Sequence, residues 1–198
     1  MPPRLAAASG LNALAHCLEA LWSAGANPIT SVLAVEGGRR LVEALPRVTS
    51  DPNDLAAHAA NLIGSCLAGA ALAQAGTGIH HRTCHVLVGG WNLPHAETHA
   101  VLLPHSTRLV SSRVPAGMLE ARQILGTDEP PPAAVFALLE RLRLPVSLAA
   151  LGLPEDALDD AAQLVAAGSH DDPLVPDEAA LRAMLDDAFH GREPRLVS

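Results

Sequence analysis

Residues 78–105 read GIHHRTCHVLVGGWNLPHAETHAVLLPH and hold six of the ten histidines of the 198-residue chain. Within this stretch His81 and His85 are four residues apart, and His95 and His99 repeat the spacing. Side chains four residues apart lie on one face of an α-helix, one turn above another. The spacing therefore predicts two helices that each carry a pair of imidazoles on one face.

A third polar pair with the same spacing, Asn12 and His16, lies near the start of the chain. A single histidine in a helix is more often a surface residue or a hydrogen-bonded core residue than a ligand. Three pairs set in apolar helices are a different case, because buried imidazoles without partners are costly. We therefore expect the three helices to bring their polar pairs to one pocket.

The rest of the chain also has helical periodicity, and no segment alternates convincingly with a period of two. Ser9 is the predicted N-cap of a first helix that ends at Gly25, and Pro28 is predicted to open a second that closes before Pro46. Further helices are predicted at about Leu55 to Gln74, Ile79 to Gly90, Pro94 to Arg113, Ala116 to Leu125, Pro132 to Arg143, Pro154 to Ala167 and Asp177 to His190. The prediction is one all-α domain over 1–198, with site-bearing helices in 1–114 and supporting helices in 115–198.

Composition excludes several classes of function. The chain has no Tyr, two Phe and two Trp, which fits closely packed Ala/Leu helices better than strands. A net charge of −8 without a basic patch argues against nucleic acid. No uninterrupted apolar run reaches about 18 residues and no signal peptide is recognisable, so a soluble, cytoplasmic protein is expected. The three cysteines lack CxxC spacing and are predicted to be buried, reduced thiols, with Cys84 as the candidate for a reactive or ligating one.

Two segments carry a resemblance to a known family. Residues 8–20, ASGLNALAHCLEA, and the histidine-rich residues 80–105 are similar to maleylacetate reductases and, more distantly, to iron-containing alcohol dehydrogenases. The similarity continues towards the C-terminus and covers essentially the whole chain. It implies the helical, dehydroquinate synthase-like C-terminal domain of that family. Relatives carry a nucleotide-binding α/β domain before it, and no glycine-rich turn that could hold a dinucleotide is visible here.

The resemblance also implies roles for individual residues. The metal-dependent members of the family bind iron or zinc through an aspartate and three histidines, which match Asn12, His16, His81 and His95. Because Asn12 is a neutral amide, the metal-independent branch is favoured, although three imidazoles are enough to hold zinc. His85 is implied to lie near substrate and nicotinamide, and we expect it to act as general acid or base. Asn12 would then donate a hydrogen bond to an oxyanion or carbonyl.

Two features depart from the reductase pattern. Arg82 stands where a lysine is usual, and residues 88–91, VGGW, replace an expected GGTF. Arg82 is predicted to pair with a substrate carboxylate. The alternative is that Arg82 is a solvated surface residue. His99 is the second predicted substrate-binding side chain.

Three functions are open at this point. The first is a free-standing enzyme that carries out redox-neutral isomerisation, dehydration or cyclisation on a small enone, keto acid or enol. The second is the helical half of a split reductase, which would use NADH only with a separate nucleotide-binding chain. The third is a non-catalytic remnant or interaction module. A homo-oligomer or a nucleotide-binding subunit is expected as partner, because a half-enzyme exposes the apolar wall of its cleft.

Overall fold

The computed structural model describes residues 2–168, residue 174 and residues 177–194. Within these residues all regular structure is helical, which confirms the predicted all-α fold. The α-helices are α1 Pro3–Ala20, α2 Pro28–Ser50, α3 Leu55–Ala75, α4 Ile79–Trp91, α5 His95–Val110, α6 Pro115–Leu125, α7 Pro131–Arg141, α8 Leu158–Ala167 and α9 Glu178–His190. Two short 3-10 turns, Ala149–Leu151 and Glu155–Ala157, connect α7 to α8.

The prediction that Ser9 caps the first helix is wrong. Helix α1 begins earlier, at Pro3, and Ser9 lies inside it. Proline suits the first helical position because its missing N–H would have no helical partner there. The alanines Ala6 to Ala8 are buried, so packing of this extra turn against the core extends the helix.

Helix α2 begins as predicted but ends later. Pro28 is its first residue, and the Asn27 side chain accepts hydrogen bonds from the backbone N–H groups of Ile29 and Thr30. The prediction that the helix closes before Pro46 is wrong, because α2 continues through Pro46 to Ser50. An internal proline removes one helical hydrogen bond. The residues on either side, such as Leu45 and Val48, are buried, and this packing keeps the last turn helical.

Two large hydrophobic clusters and a small third one of Ala6, Val48 and Ala57 form the core, and the site helices lie where the two large clusters meet. The first cluster joins α1, α2, α3, α6 and α7, and the second joins α4, α5, α8 and α9. Helix α5 belongs to both, since Leu103 packs in the first cluster and Leu102 in the second. Helix α5 also contacts α1 and α4 directly. This arrangement brings the three helices with polar pairs side by side.

Helix α3 contains no charged residue over its 21 residues and is, by length and composition, apolar enough to cross a membrane. Polar residues such as His58 and Asn61 interrupt its apolar residues, so the sequence has no uninterrupted apolar run of that length. In the structure α3 packs along both α1 and α2, and 28% of its apolar stretch is buried. Its outer face leaves Leu55 and Leu62 exposed, and Ile29 and Val32 on α2 are exposed as well.

The cysteines are free thiols, and two of the three are buried as predicted. Cys17 and Cys84 lie in the core. The expectation was wrong for Cys66, which is exposed because it lies on the outer face of α3.

The close approach of α2 and α3 gives a direct test of the packing. A Cβ atom built on Gly64 would lie 2.9 Å from the Gly37 carbonyl oxygen, which is backbone and cannot move aside. We therefore expect Gly64→Ala to lower the free energy of unfolding by about 1–3 kcal/mol. Gly69→Ala is the matched control, since nothing lies within 4 Å of a Cβ there. The control should be neutral or stabilising by up to about 1 kcal/mol in urea unfolding. Equal effects of the two changes would contradict the packing described here.

Candidate functional site

Glu19 of α1 connects the first helix to the beginning of α4. Its carboxylate accepts a hydrogen bond from the backbone N–H of His80 at 2.8 Å. The same carboxylate accepts from Nδ1 of His81 at 2.5 Å. Helix α4 has no side-chain cap of its own at Gly78, so Glu19 satisfies one of its free N–H groups from another helix. Glu19 is buried, with 1% of its surface exposed, so this anchor is shielded from water.

The hydrogen bond from His81 to Glu19 fixes the tautomer of the His81 ring. A carboxylate can only accept, so Nδ1 of His81 must carry a hydrogen. In a neutral ring Nε2 then bears a lone pair. That Nε2 atom is buried, and no residue that the structure describes forms a hydrogen bond with it.

A second chain of hydrogen bonds positions His99. The Ser106 hydroxyl donates to the carbonyl oxygens of Leu102 and Leu103 at 3.0 and 3.1 Å. Its oxygen therefore accepts from Nδ1 of His80, at 2.8 Å. His80 Nε2 is then an acceptor, and it receives the Nδ1–H of His99 at 3.0 Å. The Nε2 atom of His99 is left with a lone pair and, like that of His81, is buried without a partner.

The remaining site histidines surround these two. The ring centroid of His16 lies 4.8 Å from that of His81. The ring centroid of His99 lies 4.8 Å from that of His81 and 4.6 Å from that of His95. The His85 ring is 6.1 Å from that of His81 and 6.4 Å from that of His95. His81 and His99 are buried, His16 is partly buried, and His85 and His95 are exposed. The histidine cluster therefore has a buried side and a side exposed to solvent.

Asn12 lies on α1 one turn before His16 and is partly buried. Its side-chain oxygen is buried and lacks a hydrogen-bond partner, as do the Nε2 atoms of His81 and His99. Unpaired buried polar atoms are uncommon in native proteins and often mark a site that a ligand or ion completes.

Burial makes several of the imidazoles weak bases. Desolvation, followed by the charges of His81 and His95, lowers the pKa of His16 to about 4. Desolvation and the neighbouring imidazoles lower the pKa of His99 to about 2 and that of His80 well below its usual value. The pKa of His85 is also lowered, first by desolvation and then by His81 and His95. These rings are therefore neutral at pH 7, and each offers one donor and one acceptor.

Arg82 does not face the histidine pocket. It lines a separate cavity of about 380 Å³, together with Trp22, Thr77 and Val110, and no site histidine lines that cavity. Successive residues of a helix point about 100° apart, so a side chain next to His81 faces a different neighbour. The Nη1 atom of Arg82 is buried there and has no hydrogen-bond partner among the described residues.

The residues implied as metal ligands by resemblance do not fit an ion as they stand. Asn12 supplies a neutral amide in place of a carboxylate. Within the part of the chain that the structure describes, the nitrogens of His16, His81 and His95 are not among the groups whose ligand atoms all lie within 4.8 Å of one another. Zinc holds imidazole nitrogens at about 2.0–2.1 Å, so these three would have to move together.

Three residues of the site were not predicted as functional: Glu19, His80 and Ser106. The Cys84 Sγ lies 3.7 Å from His80 Nε2, and burial raises the pKa of this thiol well above its usual value. A signal for Glu19 was available, because it follows His16 by three residues and so continues the polar face of α1. The hydrogen bonds that join His80 to Ser106 and His99 span 26 and 19 residues of sequence, so they gave no such signal.

The sequence and fold match known proteins along nearly the whole chain. Maleylacetate reductase from Rhizobium sp. strain MTP-10005 is 42% identical over 194 residues, which are 98% of this chain and 55% of that protein. The corresponding enzyme of Burkholderia cepacia is 39% identical with the same coverage. The crystal structure of the Rhizobium enzyme superposes with a TM-score of 0.93 at 41% identity, again over 98% of this chain and 55% of that one.

A solved putative alcohol dehydrogenase from Ralstonia eutropha JMP134 superposes with a TM-score of 0.95 at 39% identity, over 98% of this chain and 55% of that chain. The chain thus spans about half the length of the relatives it matches. The family model for the C-terminal region of the iron-containing alcohol dehydrogenases matches residues 6–189. The chain belongs to the iron-containing alcohol dehydrogenase family and corresponds to its helical C-terminal domain.

Proposed function

We propose that this chain is the substrate-binding and proton-transferring half of an oxidoreductase of the maleylacetate reductase type. The observation that carries the proposal is the pair of buried Nε2 atoms on His81 and His99, which have no hydrogen-bond partner among the described residues and belong to rings whose centroids lie 4.8 Å apart. Each is held in that state by a dedicated hydrogen-bond partner, Glu19 or His80. Identity of about 40% to maleylacetate reductases over 98% of the chain supports the choice of reaction.

The chemistry divides between two parts. Reduction of an unsaturated oxo acid such as maleylacetate transfers a hydride from NADH to one carbon and a proton to another position of the conjugated system. NADH must be held for hydride transfer, which in this proposal is the task of a nucleotide-binding domain. The residues of this chain bind the substrate and supply the proton.

His85 is the proposed proton donor because it lies on the exposed side of the histidine cluster, next to the His81 and His95 rings. Its lowered pKa makes the protonated ring a stronger acid than an ordinary histidine. An anionic substrate would favour that protonated form while bound. Asn12 and the imidazole N–H or lone-pair sites on the buried side of the cluster would orient the substrate oxygens.

Redox-neutral chemistry by the chain alone is the second candidate. It is favoured by one observation, namely that all the proton-handling imidazoles described above belong to this chain. The non-catalytic alternative has less support, because a pocket with unpartnered buried polar atoms weakens a fold that does not use it.

We expect the 198-residue chain alone neither to bind NADH tightly nor to oxidise it with maleylacetate. Adding the nucleotide-binding domain of the Rhizobium enzyme, in trans or as a fusion, should produce NADH consumption followed at 340 nm. In that system His85→Ala should lower kcat by about 10²- to 10⁴-fold. His190→Ala is the matched control, since His190 is exposed at the end of α9 and should leave the rate unchanged.

Two outcomes would contradict this proposal. A dissociation constant for NADH near 1 µM with the chain alone, equivalent to about −8 kcal/mol, would show that no second domain is needed. Conversion of maleylacetate to an isomeric product by the chain alone, abolished by His85→Ala, would favour the redox-neutral candidate instead.

A further inference from the structure

A surface groove separate from the histidine cluster is lined by three arginines, Arg4, Arg141 and Arg143. The groove has a volume of about 650 Å³ and lies between the start of α1, the end of α2 and the end of α7. This volume is within the range of small-molecule sites, about 300–1,000 Å³. Within the part of the chain that the structure describes, no acidic residue lines the groove. The sequence shows no basic patch because Arg4 is distant from the other two arginines along the chain.

Two of these arginines have no partner for their charge. The side chains of Arg141 and Arg143 form no hydrogen bond or salt bridge with any described residue. Arg4 has one salt bridge, to Glu97 at 3.7 Å, and 64% of its side chain is exposed. Three guanidinium groups and one carboxylate leave a local excess of positive charge. The groove therefore attracts anions, although the net charge of the chain is −8.

Arg143 has a backbone conformation that favours another residue. Its φ is 55°, in the left-handed region, just beyond the end of α7. Glycine is the usual residue at this position because a Cβ atom is strained there. The dipole of α7 stabilises a cation at Arg141, in its last turn, but glycine at position 143 would end the helix with less strain. An arginine at such a position therefore indicates a use for its guanidinium group.

The groove also contains two hydroxyl groups whose hydrogens are already used. The Thr49 hydroxyl donates to the carbonyl oxygens of Leu45 and Pro46, each at 3.0 Å. The Ser50 hydroxyl donates to the carbonyl oxygen of Arg47 at 3.1 Å. The lone pairs of both oxygens are left to accept from a donor on a ligand. A ligand that complements the groove thus carries an anionic group for the arginines and hydroxyl groups of its own.

We infer that this groove binds a small sugar phosphate, with the phosphoryl group at Arg141 and Arg143 and the sugar hydroxyls at Thr49 and Ser50. Planar guanidinium groups bind phosphoryl oxygens through pairs of parallel hydrogen bonds. A phosphate monoester carries a charge of about −1.5 to −2 at pH 7, which matches two unpartnered arginines better than a single carboxylate does. The inference does not depend on the proposed function, because no residue of the histidine cluster lines the groove.

The test titrates the full chain with ribose 5-phosphate at low ionic strength, followed by calorimetry. We expect one saturable site, weakened at least about tenfold by Arg143→Gly and by Arg141→Gln. Arg143→Gly removes the side chain and the backbone strain together, so its urea unfolding midpoint should stay the same or rise. Loss of binding in that variant therefore cannot come from unfolding. Arg39→Gln is the matched control, because Arg39 is an exposed arginine of α2 outside the groove and its loss changes the net charge equally.

Inorganic phosphate and ribose are the two partial ligands. Ribose 5-phosphate should bind at least about tenfold more tightly than inorganic phosphate, because the sugar adds hydrogen bonds, and ribose alone should not bind measurably. Equal affinities for ribose 5-phosphate and inorganic phosphate would overturn the assignment to a sugar phosphate. Binding that persists unchanged in both Arg143→Gly and Arg141→Gln would overturn the inference as a whole. So would the absence of saturable binding in the unmodified chain.

Discussion

Acidification from pH 6.5 to pH 4.5 is expected to lower the free energy of unfolding by about 4 kcal/mol or more. The cause is a set of buried imidazoles whose folded pKa values lie below that of an unfolded histidine. Burial lowers the pKa of His16 and His105 to about 4 and that of His99 to about 2, and His80 is lowered strongly too.

Acid lowers the free energy of unfolding because the unfolded chain binds more protons than the folded chain. Below pH 6.5 the unfolded chain takes up protons on these histidines while the folded chain does not, so acid favours unfolding. Each group contributes up to about 1.4 kcal/mol per pH unit, and this contribution stops growing once the folded pKa is reached. For His16 and His105 the full stability is therefore present above pH 6.5, and the loss of stability takes place between pH 6.5 and about pH 4. The carboxyl groups of Asp54 and Asp186 have lowered pKa values, so their protonation destabilises the fold only at a lower pH than that of the histidines.

Urea unfolding at pH 7.0, 5.5 and 4.5 measures the effect as a falling transition midpoint. His105→Gln should reduce the slope with pH, because it removes one buried group that lies outside the histidine pocket, beside Phe136. His190→Gln is the matched control, since His190 is exposed and its replacement should leave the slope unchanged. A stability that is constant between pH 7.0 and 4.5 would show that the buried imidazoles take up protons without unfolding.

Local periodicity predicted most of the helices and the main members of the site. The i, i+4 spacing of the histidine pairs is a property of a single helix, and it correctly brought His81, His85, His95 and His99 to one region. Helix ends were less predictable, because burial outweighed local signals. The internal Pro46 is an example, where packing of the last turn of α2 overrides a residue that usually ends a helix.

Contacts between distant segments could not be predicted. Glu19 and His81 are 62 residues apart, and nothing in either segment alone indicates that one caps the helix of the other. The direction of the Arg82 side chain could not be predicted either. Arg82 was proposed to bind substrate from its place in the family pattern, whereas in the structure it lines a separate cavity, because adjacent residues of a helix point about 100° apart.

Glu19→Gln is expected to have the largest effect on activity of any single substitution outside the pocket lining. The two oxygens of Glu19 accept from two different donors, the His80 backbone N–H and Nδ1 of His81. Glutamine has one acceptor oxygen and one NH₂ group of nearly the same size. The backbone N–H cannot change, so the oxygen is retained there and the NH₂ group faces His81. The ring must then accept at Nδ1 and carry its hydrogen on Nε2.

The substitution would thus reverse the tautomer of His81 without creating a cavity. In a Ser-His-Asp triad the equivalent loss of an orienting carboxylate costs about 10⁴-fold in kcat. We expect kcat to fall by at least about 10²-fold here in the enzyme completed with a nucleotide-binding domain, with KM changed far less.

Imidazole ¹⁵N chemical shifts of the chain alone report the tautomer of His81 directly, without relying on the proposed function. Glu97→Gln is the matched control, because Glu97 makes a salt bridge to exposed Arg4 and should leave both readouts unchanged. An unaltered His81 tautomer in Glu19→Gln would contradict the positioning role of Glu19. Unaltered turnover with an altered tautomer would mean that the lone pair on Nε2 takes no part in the reaction.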